Sequence, residues 1–232
     1  MPAVSSDIML DRKTSDLSPV LQGNIFVTHG AKSIKLETYS KILNISRVAI
    51  YNDDMQTIAQ VFRNIGTGVG RIEAKLIAEK LVENPLLSDN NPAFAPEFEN
   101  DITGTLPNDF YRAVALLRTQ KTPAGQLAGY SARHLIICPE LESTAREMLF
   151  TANIKNLECN VLTDLPADHW YLTADPLLCP TIALVRLANS KNPLSLTYRQ
   201  PQWHTDNALS VMITADIAVA LLRRNGIVRC KL

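Results

Sequence analysis

Apolar residues at Ile58, Phe62, Ile65, Val69, Ile72 and Leu76 recur at alternating spacings of four and three, which lays one apolar stripe along a helix. The pattern predicts a helix over Asp54–Glu83, about 45 Å long at 1.5 Å per residue. That is longer than an ordinary compact core needs. Asn52-Asp53-Asp54 stand at its start, where such side chains accept hydrogen bonds from free amides and place negative charge at the positive end of the dipole. Gly66, Gly68 and Gly70 fall mid-helix and each costs about 1 kcal/mol relative to alanine. A bend or a close backbone approach is expected there. The G-x-G-x-G run lies inside a helical period, not between a strand and a helix start, so it does not read as a phosphate loop.

Upstream, residues 1–18 form a polar arm without a period. Residues 19–52 alternate loosely, as in Ile25-Phe26-Val27 and Ile42-Leu43-Asn44-Ile45, and predict an extended hairpin turning at His29-Gly30. Downstream of the helix, Pro85–Pro107 is rich in Asn, Pro and acids, a long surface loop with Phe94 and Phe98 as anchors. Asn108 is placed to cap a second helix whose Phe110, Val114 and Leu117 face one side, closed by Pro123-Ala124-Gly125. His134–Cys138 reads as a short strand, and Pro139 opens a third helix with Glu140 and Glu142 in its first turn. Leu141, Ala145, Met148 and Leu149 form that helix's buried face. Strands are expected around 160–165, 170–173, 181–187 and 195–199, with Asp-Pro, Cys-Pro and Asn-Pro turns between them. Leu209, Val211 and Ile213 alternate on one face. The Asn225-Gly226 pair then predicts a tight turn that returns a last strand, Ile227–Lys231, against its predecessor. The fold class is α+β.

Charge and cysteines narrow the chemistry. Lys plus Arg and Asp plus Glu both number 23 among 232 residues, so no excess of positive charge is present to neutralise phosphates. Cys138, Cys159, Cys179 and Cys230 are widely spaced, without C-x-x-C or zinc-finger spacing to a histidine. They read as reduced, buried thiols. No apolar run reaches the roughly 20 residues of a membrane span, because Asp216 interrupts the best one. The N-terminus, with Asp7, Asp11, Arg12 and Lys13, is not a secretory signal. His29, His134, His169 and His204 are scattered and belong to no catalytic or metal motif. No catalytic, cofactor-binding or metal-binding residue is assigned. The pair worth testing is Cys138 with His134, as a nucleophile and base in a small cytosolic hydrolase. Arg223-Arg224 has three readings, a solvated turn, a phosphate contact or a carboxylate contact.

The order of segments carries more than any motif. Glu37-Thr38-Tyr39-Ser40-Lys41-Ile42 leads into Ile45–Met55 and the long helix ending at Glu83-Asn84-Pro85. His134–Glu142 with Ala145-Arg146 follows, and then Trp170-Tyr171-Leu172-Thr173-Ala174-Asp175-Pro176. This succession resembles the major head (major capsid) proteins of tailed bacteriophages, in particular the Mu-like branch and the prohead protease/capsid fusions, over about residues 36–230. The resemblance implies the Hong Kong 97-like shell fold: an N-terminal arm (1–18), an extended loop and its flanking strands (19–52), a spine helix and surface loop of a peripheral lobe (53–106), an axial lobe (107–165), and peripheral-lobe strands with the closing segment (166–232). It implies a structural virion protein without enzymatic function or cofactor, assembled in the host cytoplasm through pentamers and hexamers into an icosahedral head around phage DNA. Portal and scaffold or prohead protease are the implied partners. Lys32 or Lys35 is where some relatives cross-link to a neighbour's asparagine, a bond not expected here. A capsid-like nanocompartment or prophage-derived particle shares the same shell logic.

Overall fold

A computed structural model describes residues 11–12, 25–26, 33–46, 48, 51, 55–122, 125–187, 195–199 and 208–232. The Asn52–Asp54 cap, the His29-Gly30 turn, Lys32, Pro123-Ala124, the Asn192-Pro193 turn, His204 and most of the arm lie outside the described residues. By internal contact the chain divides into two units, Met1–Glu73 with Leu184–Ala218, and Ala74–Ala183 with Val219–Leu232.

In the first unit, strands β1 (Asp11–Arg12), β4 (Glu37–Ser46), β11 (Ala208–Leu221) and β10 (Ser195–Arg199) form a sheet in that order, and β9 (Ile182–Arg186) also pairs with β11. Strands β2 (Ile25–Phe26) and β3 (Ser33–Ile34) pair antiparallel by themselves. β4 and β11 run antiparallel from Glu37 opposite Ile217 to Ser46 opposite Ala208. In-register polar pairs fix this alignment: Thr38 Oγ1 donates to Asp216 (2.5 Å) and Ser210 Oγ to Asn44 Oδ1 (2.8 Å). The predicted long helix is α1, Met55–Glu83, with Ile65, Val69 and Ile72 of its stripe buried. Ile65 packs on Val211 and Ile213, joined by Ile45, Val61, Phe62 and Leu209. The helix is continuous through its glycines, and a Cβ at Gly66 or Gly70 would meet nothing within 4 Å. Neither a break nor a close backbone approach is found at those two positions.

The second unit is built on a sheet ordered β5 (Asp101–Thr103), β12 (Ile227–Lys231), β8 (His169–Ala174), β6 (Ala132–Ile137), β7 (Glu158–Val161). Alternate residues supply two cores. Leu135, Ile137, Trp170, Leu172, Val228 and Cys230 face helices α2 (Phe110–Thr119) and α3 (Glu142–Thr151) through Phe110, Ala113, Leu117 and Ala145. Ile136, Tyr171 and Ile227 on the other face meet Ala78 and Leu81 of α1, together with Phe94. Pro139 opens a 3-10 turn, Pro139–Leu141, before α3 begins. Asp109, not Asn108, occupies the position before α2, and its carboxylate accepts from Thr105 N instead of capping the helix.

Three expectations are corrected. The last strand does follow the Asn225-Gly226 turn but does not return against β11; it inserts between β5, parallel, and β8, antiparallel. Its residues Ile227–Cys230 are all buried, which an interior strand covered on both faces requires. Gly226, at φ +82°, passes so near Cys179 that a Cβ would lie 2.7 Å from its Sγ. Second, Pro85–Pro107 is a built segment. Asn84, at φ 51°, ends α1 in the left-handed conformation, and its carboxamide donates to Phe94 O (2.9 Å) while accepting from Phe94 N (2.7 Å). Buried Asn100 donates to Ala93 O and Arg224 O and accepts from Ala95 N. Third, the division drawn at 165/166 does not separate compact units, because β8 and β12 complete the sheet of β6 and β7.

Candidate functional site: residues of possible chemistry and assembly surfaces

The structure does not join Cys138 and His134 into a reacting pair. Cys138 is fully buried in the core with Leu81, Phe94 and Tyr171, and burial pushes its thiol up, the reverse of activation. His134 Nδ1 instead lies 3.3 Å from Asn160 Nδ2 and 3.4 Å from Glu158. The four cysteines are free thiols: Cys138, Cys179 and Cys230 are buried and Cys159 is partly so. His169 Nδ1 meets Asp168 (2.6 Å), which holds that exposed carboxyl below its ordinary range. Among the described residues no group of three or more His, Cys, Asp or Glu could hold a metal ion, and no helix is long and apolar enough to cross a membrane.

Of the three readings of the arginine pair, a carboxylate contact is realised at Arg224. Its guanidinium reaches both oxygens of Asp89 (2.7 and 2.6 Å) and lies 3.8 Å from the centre of the Phe98 ring. Desolvation opposes ionisation of Asp89, but hydrogen bonds from Asn91 and Arg224 hold its carboxyl low. A second carboxylate contact was not foreseen. Arg229 and Asp101, opposite each other on β12 and β5, are both nearly buried and joined by two hydrogen bonds (2.9 and 2.7 Å), with Lys231 3.5 Å away. Burial alone would raise the Asp101 carboxyl; Arg229 and then Lys231 outweigh it and hold it low. Residues that pair in register across strands were the signal that would have found it.

The surfaces able to act are apolar. On β10, Leu196 and Tyr198 stand in register with Ile213 and Val211 and share their face of the sheet. Ile213 and Val211 are buried beneath α1, whereas Leu196 and Tyr198 are 58% and 70% exposed. The apolar face of the first unit thus continues past its own core. Ile42 on β4 is also exposed. Lys35 is exposed at the approach to β4. Such surfaces recognise other protein surfaces; they hold no group that could transfer a proton or attack a substrate.

The chain belongs to the phage capsid protein family, whose model matches residues 30–230. Its fold is the Hong Kong 97-like shell fold, and the protein is a shell-forming structural component of a phage head. The encapsulin SrpI of Synechococcus elongatus PCC 7942 is similar in structure with a TM-score of 0.59 at 12% identity, over 95% of this chain and 92% of that one. The capsid of cyanophage P-SCSP1u gives 0.54 at 10% identity, over 96% and 82%. The capsid of the myovirus XM1 gives 0.51 at 11%, over 96% and 82%. A search of curated proteins gives no significant match.

Proposed function

We propose that this chain is the repeating subunit of an icosahedral head, assembled through pentamers and hexamers in the host cytoplasm around DNA that it encloses without reading its sequence. The carrying observation is the apolar face of the first unit that runs on, in register, from buried Val211 and Ile213 to exposed Tyr198 and Leu196, in a member of the capsid family. A subunit with such a face is completed by heterologous contacts with its copies. The balance of 23 basic and 23 acidic residues suits a wall that does not grip its contents. In this reading the second unit is the axial lobe, and the first unit supplies the peripheral lobe with its loop and arm. A portal and a scaffold or prohead protease are the further partners. Electron microscopy of the purified protein tests the proposal: rings or closed shells are expected, and monodisperse subunits at high concentration would overturn it.

A cargo-holding compartment is the second reading, favoured by the likeness to the SrpI encapsulin over 92% of that chain. Particles purified from the native host separate the two, since a head carries nucleic acid and a compartment carries protein cargo.

A further inference from the structure

The second unit exposes leucines on loops that are otherwise tightly built. Leu127 is 70% exposed, Leu177 92% and Leu178 67%. Their loops meet at one end of the sheet. Gln120, buried where the first loop begins, donates to Ile227 O (3.1 Å) and accepts from Gly226 N (2.6 Å). Asn225 donates to Lys121 O, and Cys179 Sγ lies 3.2 Å from Asn225 O. The turn that presents Leu177 and Leu178 is closed by Leu178 N and Cys179 N, both donating to Asp175 O, while Leu177 N donates to Asp175 Oδ1. Phe150 is exposed in the last turn of α3, at the same end, because the crossover from β6 to the parallel β7 returns the helix along the sheet.

Leucines at a mobile loop tip signify little. These are held outward by a hydrogen-bonded scaffold whose centre, Gln120 and Gly226, is buried. The apolar area they offer is a few hundred Å², short of the roughly 800 Å² per partner of a standard two-body interface. A small patch confined to one end of a domain is fully covered when several copies converge on a rotation axis, each touching a neighbour on either side.

We infer that the end of the second unit bearing Leu127, Leu177 and Leu178 is the surface by which five or six copies of this chain close a ring around its axis. This rests on the shell reading above and names the contact within it. The test uses the full-length chain with Leu127→Asp and with Leu177→Asp/Leu178→Asp, beside Tyr111→Asp, an exposed aromatic in the first turn of α2, at the other end of that helix. The tip variants are expected to keep the wild-type circular dichroism and melting temperature, yet lose about tenfold or more in ring and shell yield; Tyr111→Asp assembles normally. A Leu177→Cys variant treated with a short bismaleimide should give a ladder on a denaturing gel that ends at five or six subunits. Normal assembly of the tip variants, equal loss in Tyr111→Asp, or a ladder ending at two would overturn this contact and leave the shell reading intact. Absence of rings and shells from the wild-type chain would overturn both.

Discussion

The second unit buries both faces of its sheet, with Trp170, Tyr171, Leu135, Ile137 and Leu172 enclosed. The first buries one compact cluster, Ile65 with Val211 and Ile213, and leaves Ile42, Leu196 and Tyr198 in solvent. The same kinds of side chain therefore do different work. In the second unit they complete a core that one chain can satisfy. In the first, part of the apolar face has no cover of its own among the described residues, so its free energy of burial is released on association.

The comparison can be broken most forcefully at Trp170. Its ring is fully buried and its indole N–H donates to Gly104 O (3.1 Å), so Trp170→Ala should cost about 3–5 kcal/mol, read as a lowered urea midpoint. If the loss were below about 1 kcal/mol, the self-sufficiency of the second unit would be disproved. Next, Asp101→Ala strands the Arg229 charge in a nearly buried position and should cost about 3 kcal/mol. The associated pH dependence has a definite sign. The Asp101 carboxyl is held below its ordinary value of 3.8, so its contribution is complete above that pH and is lost as the pH falls through the depressed native value. Acid titration of the wild type against Asp101→Asn should show a stability difference that shrinks below about pH 4.

Tyr198→Ser sharpens the contrast from the other side. With the ring 70% exposed, unassembled protein should change by no more than about 0.5 kcal/mol, while sedimentation should show fewer assembled particles. An equal loss of stability in the free subunit would mean that Tyr198 serves folding after all. The smallest effect is expected at Gly66, where a Cβ meets nothing. Gly66→Ala should stabilise the free subunit by about 0.5–1 kcal/mol, seen as a raised melting temperature.

The long helix was legible because its stripe depends only on local spacing, and Met55–Glu83 falls within one residue of the expectation. The strands were legible for the same reason. The partner of β12 was not: Asn225-Gly226 specifies a reversal, but the choice of β8 over β11 is made by residues more than fifty positions away. Asn84 and Asn100 were hidden because asparagines in a Pro-rich stretch read as solvent-facing, whereas here they replace missing backbone partners. Leu177 and Leu178 were equally hidden, since composition does not tell a core leucine from one that a hydrogen-bonded turn holds outward. The family was legible in the order of segments, while the contacts that make a shell were not.

Both sheets are closed by strands made late. β4 takes its register from residues 208–217, and β12 at 227–231 separates β5 from β8. During translation, the early strands must therefore wait for most of the polypeptide before they find lasting neighbours. Products interrupted upstream would lack a central strand in each sheet, and so could not enter a growing particle as well-formed tiles.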